Sequence, residues 1–190
     1  MKNKKGLIIA LAVIAVIAIF AGSIVSSYNS LVDERETVTN AQANIQTMLQ
    51  RRADLIPNLV NTVKGYAAHE EEVYTAIADA RSKLSGATTV DEMEKANTEL
   101  DSAISRLLVV VENYPELKAD TQFINLQDEL AGSENRISVA RKDYNDVAKA
   151  YNTHIKKFPA NIIASMFNFE QAEYFEASSE AQTAPSVNFD

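Results

Sequence analysis

The chain has no cysteine and no tryptophan, and it has only five glycines and four prolines among 190 residues. The absence of cysteine excludes disulfide bonds, thiol catalysis and thiolate-ligated metal sites. The scarcity of glycine and proline, together with abundant Ala, Gln, Glu and Lys, favours an all-helical protein. Basic residues are also few, with 18 against 26 acidic ones. Nucleic-acid binders concentrate Lys and Arg to displace counterions, so no nucleic-acid partner is expected.

The longest uncharged run, residues 6–25, predicts a transmembrane helix. Twenty helical residues rise about 30 Å, which matches the hydrocarbon core of a bilayer. Lysines precede the run, and mainly acidic residues follow it. The positive-inside rule therefore predicts a short cytoplasmic N-terminus, residues 1–5, and an extracytoplasmic remainder. A cleaved signal peptide is the alternative, with a small-residue site at Ala21–Ser23, although the apolar core of a signal peptide is usually shorter.

A heptad pattern runs from Tyr28 to Leu84 in one frame and predicts long helices packed on other helices. Pro57 lies inside this frame and predicts either a kink or a break, and Gly65 is a second candidate bend. The two heptad columns are Tyr28, Arg35, Gln42, Leu49, Ile56, Val63, Glu70, Ile77 and Leu84, and Leu31, Val38, Ile45, Arg52, Leu59, Tyr66, Val73 and Ala80.

Two further helices complete the predicted bundle. After a stop at residues 85–89, Thr88 or Thr89 can cap a helix that ends near Glu112. The last helix carries two more columns, so residues 28–158 are predicted to form an antiparallel, up-and-down bundle of long helices, like a four-helix bundle. Those columns are Phe123, Leu130, Ile137, Tyr144, Tyr151 and Phe158, and Leu126, Ser133, Ala140, Val147 and His154.

The C-terminal part divides into two segments. Residues 159–177 are rich in apolar side chains and predict either a short helix that covers one end of the bundle or an interfacial or partner-binding segment. Residues 178–190 are small, polar and acidic, and we expect them to be disordered. Val187 and Phe189 could form a short docking motif within that tail.

One helical stretch, residues 51–70, carries a full polar face as well as a proline and a glycine. Breaks in local helix rules tend to occur at functional or strained places. The side chains at this face follow each other at steps of three and four residues, which places them on one stripe. The stripe is either a solvated or interhelical face or a docking surface for another protein. Its candidate interaction residues are Arg51, Asp54, Asn58, Asn61 and Lys64.

A second polar set repeats every seven residues on the last helix and predicts a ladder that fixes helix register. Pairing of Glu134 and Arg141 with Arg51, Arg52 or Asp54 on the first helix is the corresponding hypothesis, and it predicts that Arg141→Met loosens the bundle. The ladder residues are Glu134, Arg141, Tyr144, Asn145, Tyr151 and Asn152.

Catalytic, cofactor and metal sites are not expected. His69 lacks the second histidine four residues later that a helical zinc site uses. A site of His69, Glu70 and His154 across two helices is conceivable, but the paired Glu-x-x-His motifs of carboxylate-rich bundles are absent. The sequence has no phosphate-binding loop and no nucleophile–base motif.

Several motifs in order along the chain resemble the LemA family of bacterial membrane proteins. They include QRRADLIPNLV from Gln50 to Val60, Glu134–Ile137, Phe158–Pro159 and Tyr174–Glu176. The resemblance implies a membrane-anchored, up-and-down helical bundle. It implies no enzymatic activity, and the occurrence of related domains in magnetosome proteins suggests roles in membrane organisation.

These observations together predict a non-enzymatic, membrane-anchored scaffold or adaptor that presents its helical bundle to envelope proteins. The alternative is a structural protein that self-assembles and organises or remodels membrane. The expected partners are membrane lipid at residues 6–25, another membrane or envelope protein, and a second copy of the chain.

Overall fold

The computed structural model describes residues 2–176, with side chains from residue 6 onward except that of Ile9. No strand occurs in this part of the chain, so the predicted all-α fold is confirmed. The helices are α1 (Lys2–Lys64), α2 (Glu71–Gly86), α3 (Val90–Val111), α4 (Pro115–Lys118), α5 (Thr121–His154) and α6 (Ala160–Met166).

Two compact units divide the chain. The first, here called the anchor unit, combines Met1–Asn40 with Asp146–Ala172. The second, here called the bundle unit, combines Ala41–Asn145 with Glu173–Asp190. The long helices α1 and α5 each contribute to both units.

The anchor unit contains an apolar stretch of α1 that is long enough to cross a membrane. Its large side chains are exposed in the folded chain, as at Leu11 (57% exposed) and Ile19 (73%). Apolar surface of this extent needs an apolar solvent, which indicates membrane association. The unit also has a small core beyond the stretch, formed by Leu31, Val38, Ala148, Tyr151, Ile155, Ala160, Ile163 and Ala164.

The bundle unit is an up-and-down arrangement of four helices. On α1, Gln42 bonds Thr88 and Arg52 bonds Asn97, so α1 and α3 run in the same direction. Arg52 also bonds Glu134 within α5, and Tyr66, just after α1, bonds Asp120, just before α5, so α1 and α5 run in opposite directions. Helix α2 returns beside α1, where Arg81 bonds the carbonyl of Ala53. The apolar residues at the heptad positions fill its core, including Ile45, Leu49, Ile56, Leu59, Val63, Ile77, Leu84, Met93, Leu100, Leu107, Phe123, Leu130, Ile137 and Tyr144.

The first interruption of the heptad frame lies at Gly65, not at Pro57. Helix α1 continues through Pro57 and ends at Lys64, and α2 begins at Glu71. The prediction of one uninterrupted frame to Leu84 therefore needs a correction, because residues 65–70 form a turn in which Tyr66 is 41% exposed. Apolar column residues of the bundle unit are buried on both sides of this turn, as at Leu59 and Val63 before it and at Ile77 and Leu84 after it. Each helix thus buries its own apolar stripe.

The start of α3 agrees with its sequence signal. Thr89 is the N-cap, its side chain accepts a hydrogen bond from the Glu92 backbone N–H, and the Glu92 carboxylate accepts in return, which forms a capping box. Hydrogen bonds from two backbone N–H groups, with that of Thr88 contributing more than that of Thr89, hold the pKa of Glu92 below its usual value. These contacts satisfy donors that a helix start otherwise leaves unpaired.

The C-terminal part differs from a simple end cap. Phe158, placed by the heptad pattern in the packed column, is 82% exposed, because α5 ends at His154. Helix α6 accounts for only part of the apolar segment 159–177, and residues 167–176 continue without regular secondary structure apart from a turn at their start. Residue 177 and the predicted disordered tail 178–190, with Val187 and Phe189, lie outside the described residues.

Candidate functional site

The predicted polar stripe lies on the outer face of α1 in the bundle unit. All five of its side chains are exposed: Arg51, Asp54, Asn58, Asn61 and Lys64. Gln50 donates a hydrogen bond of 2.8 Å to Asp54, and the Lys64 ammonium lies 4.9 Å from the centre of the Tyr74 ring. The stripe therefore presents charges of both signs and two amides to solvent.

A groove of about 640 Å³ adjoins the N-terminal end of the stripe. Gln50, Arg51 and Asp54 contribute its polar wall, while Leu84 and Met93 contribute apolar surface at the turn between α2 and α3. A volume of this size can accept several side chains of a partner, and its mixed lining resembles the composition of protein-binding surfaces.

Pro57, on the same stretch of α1, is compensated by a residue of α2. A proline has no N–H, so the carbonyl four residues earlier, that of Ala53, loses its helical donor. The Nε of Arg81 donates to that carbonyl oxygen at 2.9 Å. The hydrogen bond that the proline removes from α1 is thus replaced by a bond between two helices, and the proline has a structural role in joining them.

Arg52 is the centre of a polar cluster inside the bundle unit. The residue is 5% exposed, and its guanidinium bonds the Asn97 side chain at 2.7 Å and the Glu134 carboxylate at 2.6 Å. It also forms an ion pair with Asp101, which in turn accepts a bond from Asn97. Three helices are fixed in register by this one side chain, because α1, α3 and α5 each supply a member.

The predicted ladder separates into different contacts. Glu134 pairs with Arg52 as the hypothesis proposed. Arg141 does not join that cluster, because its guanidinium lies over the Phe175 ring, 5.5 Å from the centre. Its Nε and Nη2 are buried and have no hydrogen-bond partner among the described residues. The pairing of Arg141 with α1 is therefore replaced by a contact with the C-terminal segment.

The Tyr144–Asn145 pair holds that segment in the bundle unit. The Tyr144 hydroxyl donates to the Glu173 carbonyl at 2.9 Å. The Asn145 amide donates to the carbonyl of Phe175 at 2.8 Å and accepts from its N–H at 3.0 Å. The Phe175 ring packs edge-on against Tyr144 with centroids 5.2 Å apart. We call this arrangement the bundle clamp.

The Tyr151–Asn152 pair makes the same contacts in the anchor unit. The Tyr151 hydroxyl donates to the Glu170 carbonyl at 2.9 Å. The Asn152 amide donates to the Ala172 carbonyl and accepts from the Ala172 N–H, both at 2.8 Å. Burial of the ring raises the pKa of Tyr151, which further favours the protonated phenol that donates this bond. We call this arrangement the anchor clamp.

Each clamp, within its own unit, binds one residue of the C-terminal segment through its main chain. Each asparagine binds both backbone groups of one residue, as a neighbouring β-strand would, so these hydrogen bonds do not depend on the side chain of the residue bound. In the bundle clamp the Phe175 ring adds a side-chain contact.

Comparison with known proteins assigns the family. The model of the LemA family matches residues 41–189. The chain belongs to the LemA family. Magnetosome protein MamQ 2 of Paramagnetospirillum magneticum is 28% identical over 207 residues, covering 94% of this chain and 76% of the relative. Magnetosome protein MamQ of Magnetospirillum gryphiswaldense is 25% identical, with 93% and 74% covered.

A further relative carries the family's own name. Protein LemA of Metamycoplasma hominis is 29% identical over 167 residues, covering 87% of this chain and 76% of the relative. The apolar stretch of α1 and these relatives together support membrane association of this LemA-family chain. Membership of this family is consistent with the predicted membrane-associated role.

The two histidines of this LemA-family chain occupy separate environments. His69 is exposed in the turn before α2. His154, in the anchor unit, is half-buried, and its Nδ1 lies 2.8 Å from a carboxylate oxygen of Glu34. Among residues 2–176 no group of three or more potential metal-ligating side chains occurs. His154 therefore has a carboxylate partner on α1, and its position in the heptad column reflects packing.

Sequence reasoning did not identify four of the partners described above, namely the C-terminal segment, Asn97, Asp101 and Arg81. The repeat of Tyr and Asn was visible, but a peptide bound through its backbone leaves no pattern of side chains. Asn97 and Asp101 are spaced by four residues on α3, a signal that they share one face. Pro57 lies in α1 and Arg81 lies in α2, on the other side of a turn, so only the folded chain relates them.

Proposed function

We propose that this protein is a membrane-anchored, non-enzymatic scaffold or adaptor that presents the polar stripe of α1 to another protein of the cell envelope. The observation that carries the proposal is the exposure of one row of side chains on a helix whose other face is buried: Arg51, Asp54, Asn58, Asn61 and Lys64. A rigid helix with exposed amides and charges of both signs suits recognition of a polar partner surface.

The support beneath the stripe makes this surface well ordered. Arg52, one residue from the stripe, is fixed by partners on α3 and α5. Arg81 holds the carbonyl of Ala53 from α2. Binding to a surface that is already ordered loses less conformational entropy, which favours affinity. The groove beside Arg51 and Asp54 offers a site for a side chain of the partner.

The proposed topology follows from charge. Lysines at residues 2, 4 and 5 precede the span at residues 6–25, and Asp33, Glu34 and Glu36 follow it. The positive-inside rule therefore places the N-terminus in the cytoplasm and the bundle outside the cytoplasmic membrane, with a single crossing. The partner would then be an extracytoplasmic or membrane-embedded protein.

Photo-cross-linking in cells tests the proposal. A photoreactive amino acid replaces Asn61 in the full chain, and a matched chain carries it at Glu129, an exposed position of α5. We expect a discrete adduct with another protein from position 61 and none from position 129. The adduct should disappear when Asp54→Lys is added and persist when Asp128→Lys, the same charge change on α5, is added.

Other outcomes exclude the adaptor function. Equal adducts from both positions, or adducts insensitive to Asp54→Lys, mean that the stripe does not recognise a partner. Adducts only between copies of this chain favour the second candidate, a self-assembling protein that organises membrane. The magnetosome names of the MamQ relatives are the observation that favours this candidate.

A further inference from the structure

Helix α6, in the anchor unit, is apolar on both of its faces. Ala160, Ile163 and Ala164 are buried against the rest of the unit. On the opposite face Ile162 is 52% exposed and Met166 is 68% exposed. The same face also carries the exposed polar residues Asn161 and Ser165, so its apolar surface comes from Ile162 and Met166. Within the described residues this second face is not enclosed by protein.

The charge pattern around α6 is unusual for this acidic chain. Residues 158–169, FPANIIASMFNF, contain no charged side chain. Two exposed lysines, Lys156 and Lys157, come directly before them. An exposed acidic residue, Glu170, follows them. An uncharged apolar surface with basic residues at one end suits a segment that lies at a membrane surface, because the lysines contact anionic headgroups.

Ring contacts connect this segment to the membrane span within the same unit. The ring of Tyr28 lies 4.8 Å from that of Phe167 and 5.8 Å from that of Phe169, measured between centroids. Tyr28 follows the last residue of the apolar run, Val25, by three helical residues, a rise of about 4.5 Å. The headgroup region on each side of a bilayer is about 5–7 Å thick. Tyr28 is therefore at headgroup depth, where aromatic residues are enriched.

We propose that the α6 patch, defined as Ile162, Met166 and Phe167, inserts into the headgroup–acyl boundary of the membrane that α1 spans. The patch is a second lipid contact beside the anchor. Contact with Tyr28 makes it continuous with the lipid-facing surface of α1, which favours lipid over a protein partner as its occupant. The inference is independent of the polar stripe, which lies in the bundle unit.

Single tryptophans provide the test, since the chain contains none. Met166→Trp places the probe in the patch. Val109→Trp is a matched control on α3, because Val109 is 69% exposed against 68% for Met166. Each full-length variant is reconstituted in vesicles of phosphatidylcholine and phosphatidylglycerol, with and without lipids brominated near the upper end of their acyl chains. Circular dichroism checks that both variants keep the helical content of the unmodified chain.

Insertion predicts that M166W emits at shorter wavelength than V109W and loses emission in brominated vesicles, while V109W keeps its emission. Two results would overturn the proposal. Emission of M166W that resembles that of V109W would place the patch in water. Emission at shorter wavelength without loss in brominated vesicles would mean that protein, from a second copy or another part of the chain, covers the patch.

Discussion

The two interior arginines of the bundle unit predict opposite responses to the same substitution. Arg52→Met and Arg141→Met each remove one positive charge and leave an unbranched apolar side chain. Arg52 has partners on two other helices. Arg141 has the face of one aromatic ring, and two of its nitrogens are buried without a hydrogen-bond partner among the described residues.

The cost of Arg52→Met can be worked from its contacts. Loss of the guanidinium leaves the oxygen of Asn97, a residue 2% exposed, without that donor, at about 1–3 kcal/mol. Breaking a buried ion pair costs about 3–5 kcal/mol. The side chains of Asp101 and Glu134 are 44% and 38% exposed, so water compensates part of this loss. We expect a destabilisation of about 3 kcal/mol, near the lower end of that range.

Arg141→Met should behave differently. The substitution removes buried donors that lack partners, and methionine retains a favourable sulfur contact with the Phe175 ring. Replacement of a poorly satisfied buried charge by an apolar residue is often neutral or stabilising. We therefore expect a change within about 1 kcal/mol of zero, or a gain. The sequence alone predicts a loosened bundle, so a clear loss of stability in this variant would favour that earlier expectation.

Thermal unfolding of the full chain in lipid nanodiscs, followed by circular dichroism, measures both. A loss of about 3 kcal/mol lowers the Tm by roughly 6–12 °C for a chain of this size. Arg52→Lys should fall between the unmodified chain and Arg52→Met, since it keeps the charge but not the planar fork. Equal Tm values for Arg52→Met and the unmodified chain, or equal losses at the two sites, would refute the reasoning.

Four further predictions concern the anchor clamp, the start of α3 and the bond that compensates Pro57. Asn152→Leu removes the amide of the anchor clamp and should speed hydrogen exchange of the backbone N–H groups of residues 170–172. Unchanged exchange would mean that the clamp does not hold this segment. Thr89→Ala should cost about 1 kcal/mol as an N-cap loss. Because the pKa of Glu92 is lowered in the folded chain, its carboxylate stabilises the fold above the usual glutamate pKa. This stabilisation is lost as the pH falls through the lowered pKa. E92Q should therefore remove this part of the pH dependence from thermal unfolding curves. Arg81→Met should lower the stability of the unmodified chain by about 1 kcal/mol more than that of the P57A variant, in which the helical N–H at position 57 is restored. If the two substitutions prove additive in a double-mutant cycle, the bond from Arg81 does not compensate Pro57.

Local patterns predicted the helical elements because each depends on residues near in sequence. The start of α3 follows from Thr89 and Glu92, three residues apart. The burial of Arg52 agrees with its place in a heptad column. The end of α1 was left open between Pro57 and Gly65, since the cost of a helical proline depends on whether a distant donor replaces its N–H.

The candidate site was harder to predict from the sequence than the helices were. Exposure of Asn58 and Asn61 follows from their position opposite the buried stripe, but exposure alone does not identify a partner. The contacts of Tyr144 and Tyr151 required the folded chain, because they involve backbone carbonyls that every residue has. Charge alone likewise gave no means of distinguishing Arg141 from Arg52, which differ in the number of acceptors within reach.

Backbone recognition by the clamps determines which substitutions the C-terminal segment can accept. Position 172 must supply an N–H to Asn152, so proline is the residue type that this position excludes most directly. Position 174 has an exposed side chain, and neither of its backbone groups is held by an asparagine, so it should accept a wide range of residues. In a library of variants across residues 170–176, position 172 should therefore tolerate residues that have a backbone N–H. Position 175 should need both its main-chain bonds and an aromatic ring, and position 174 should tolerate most residue types.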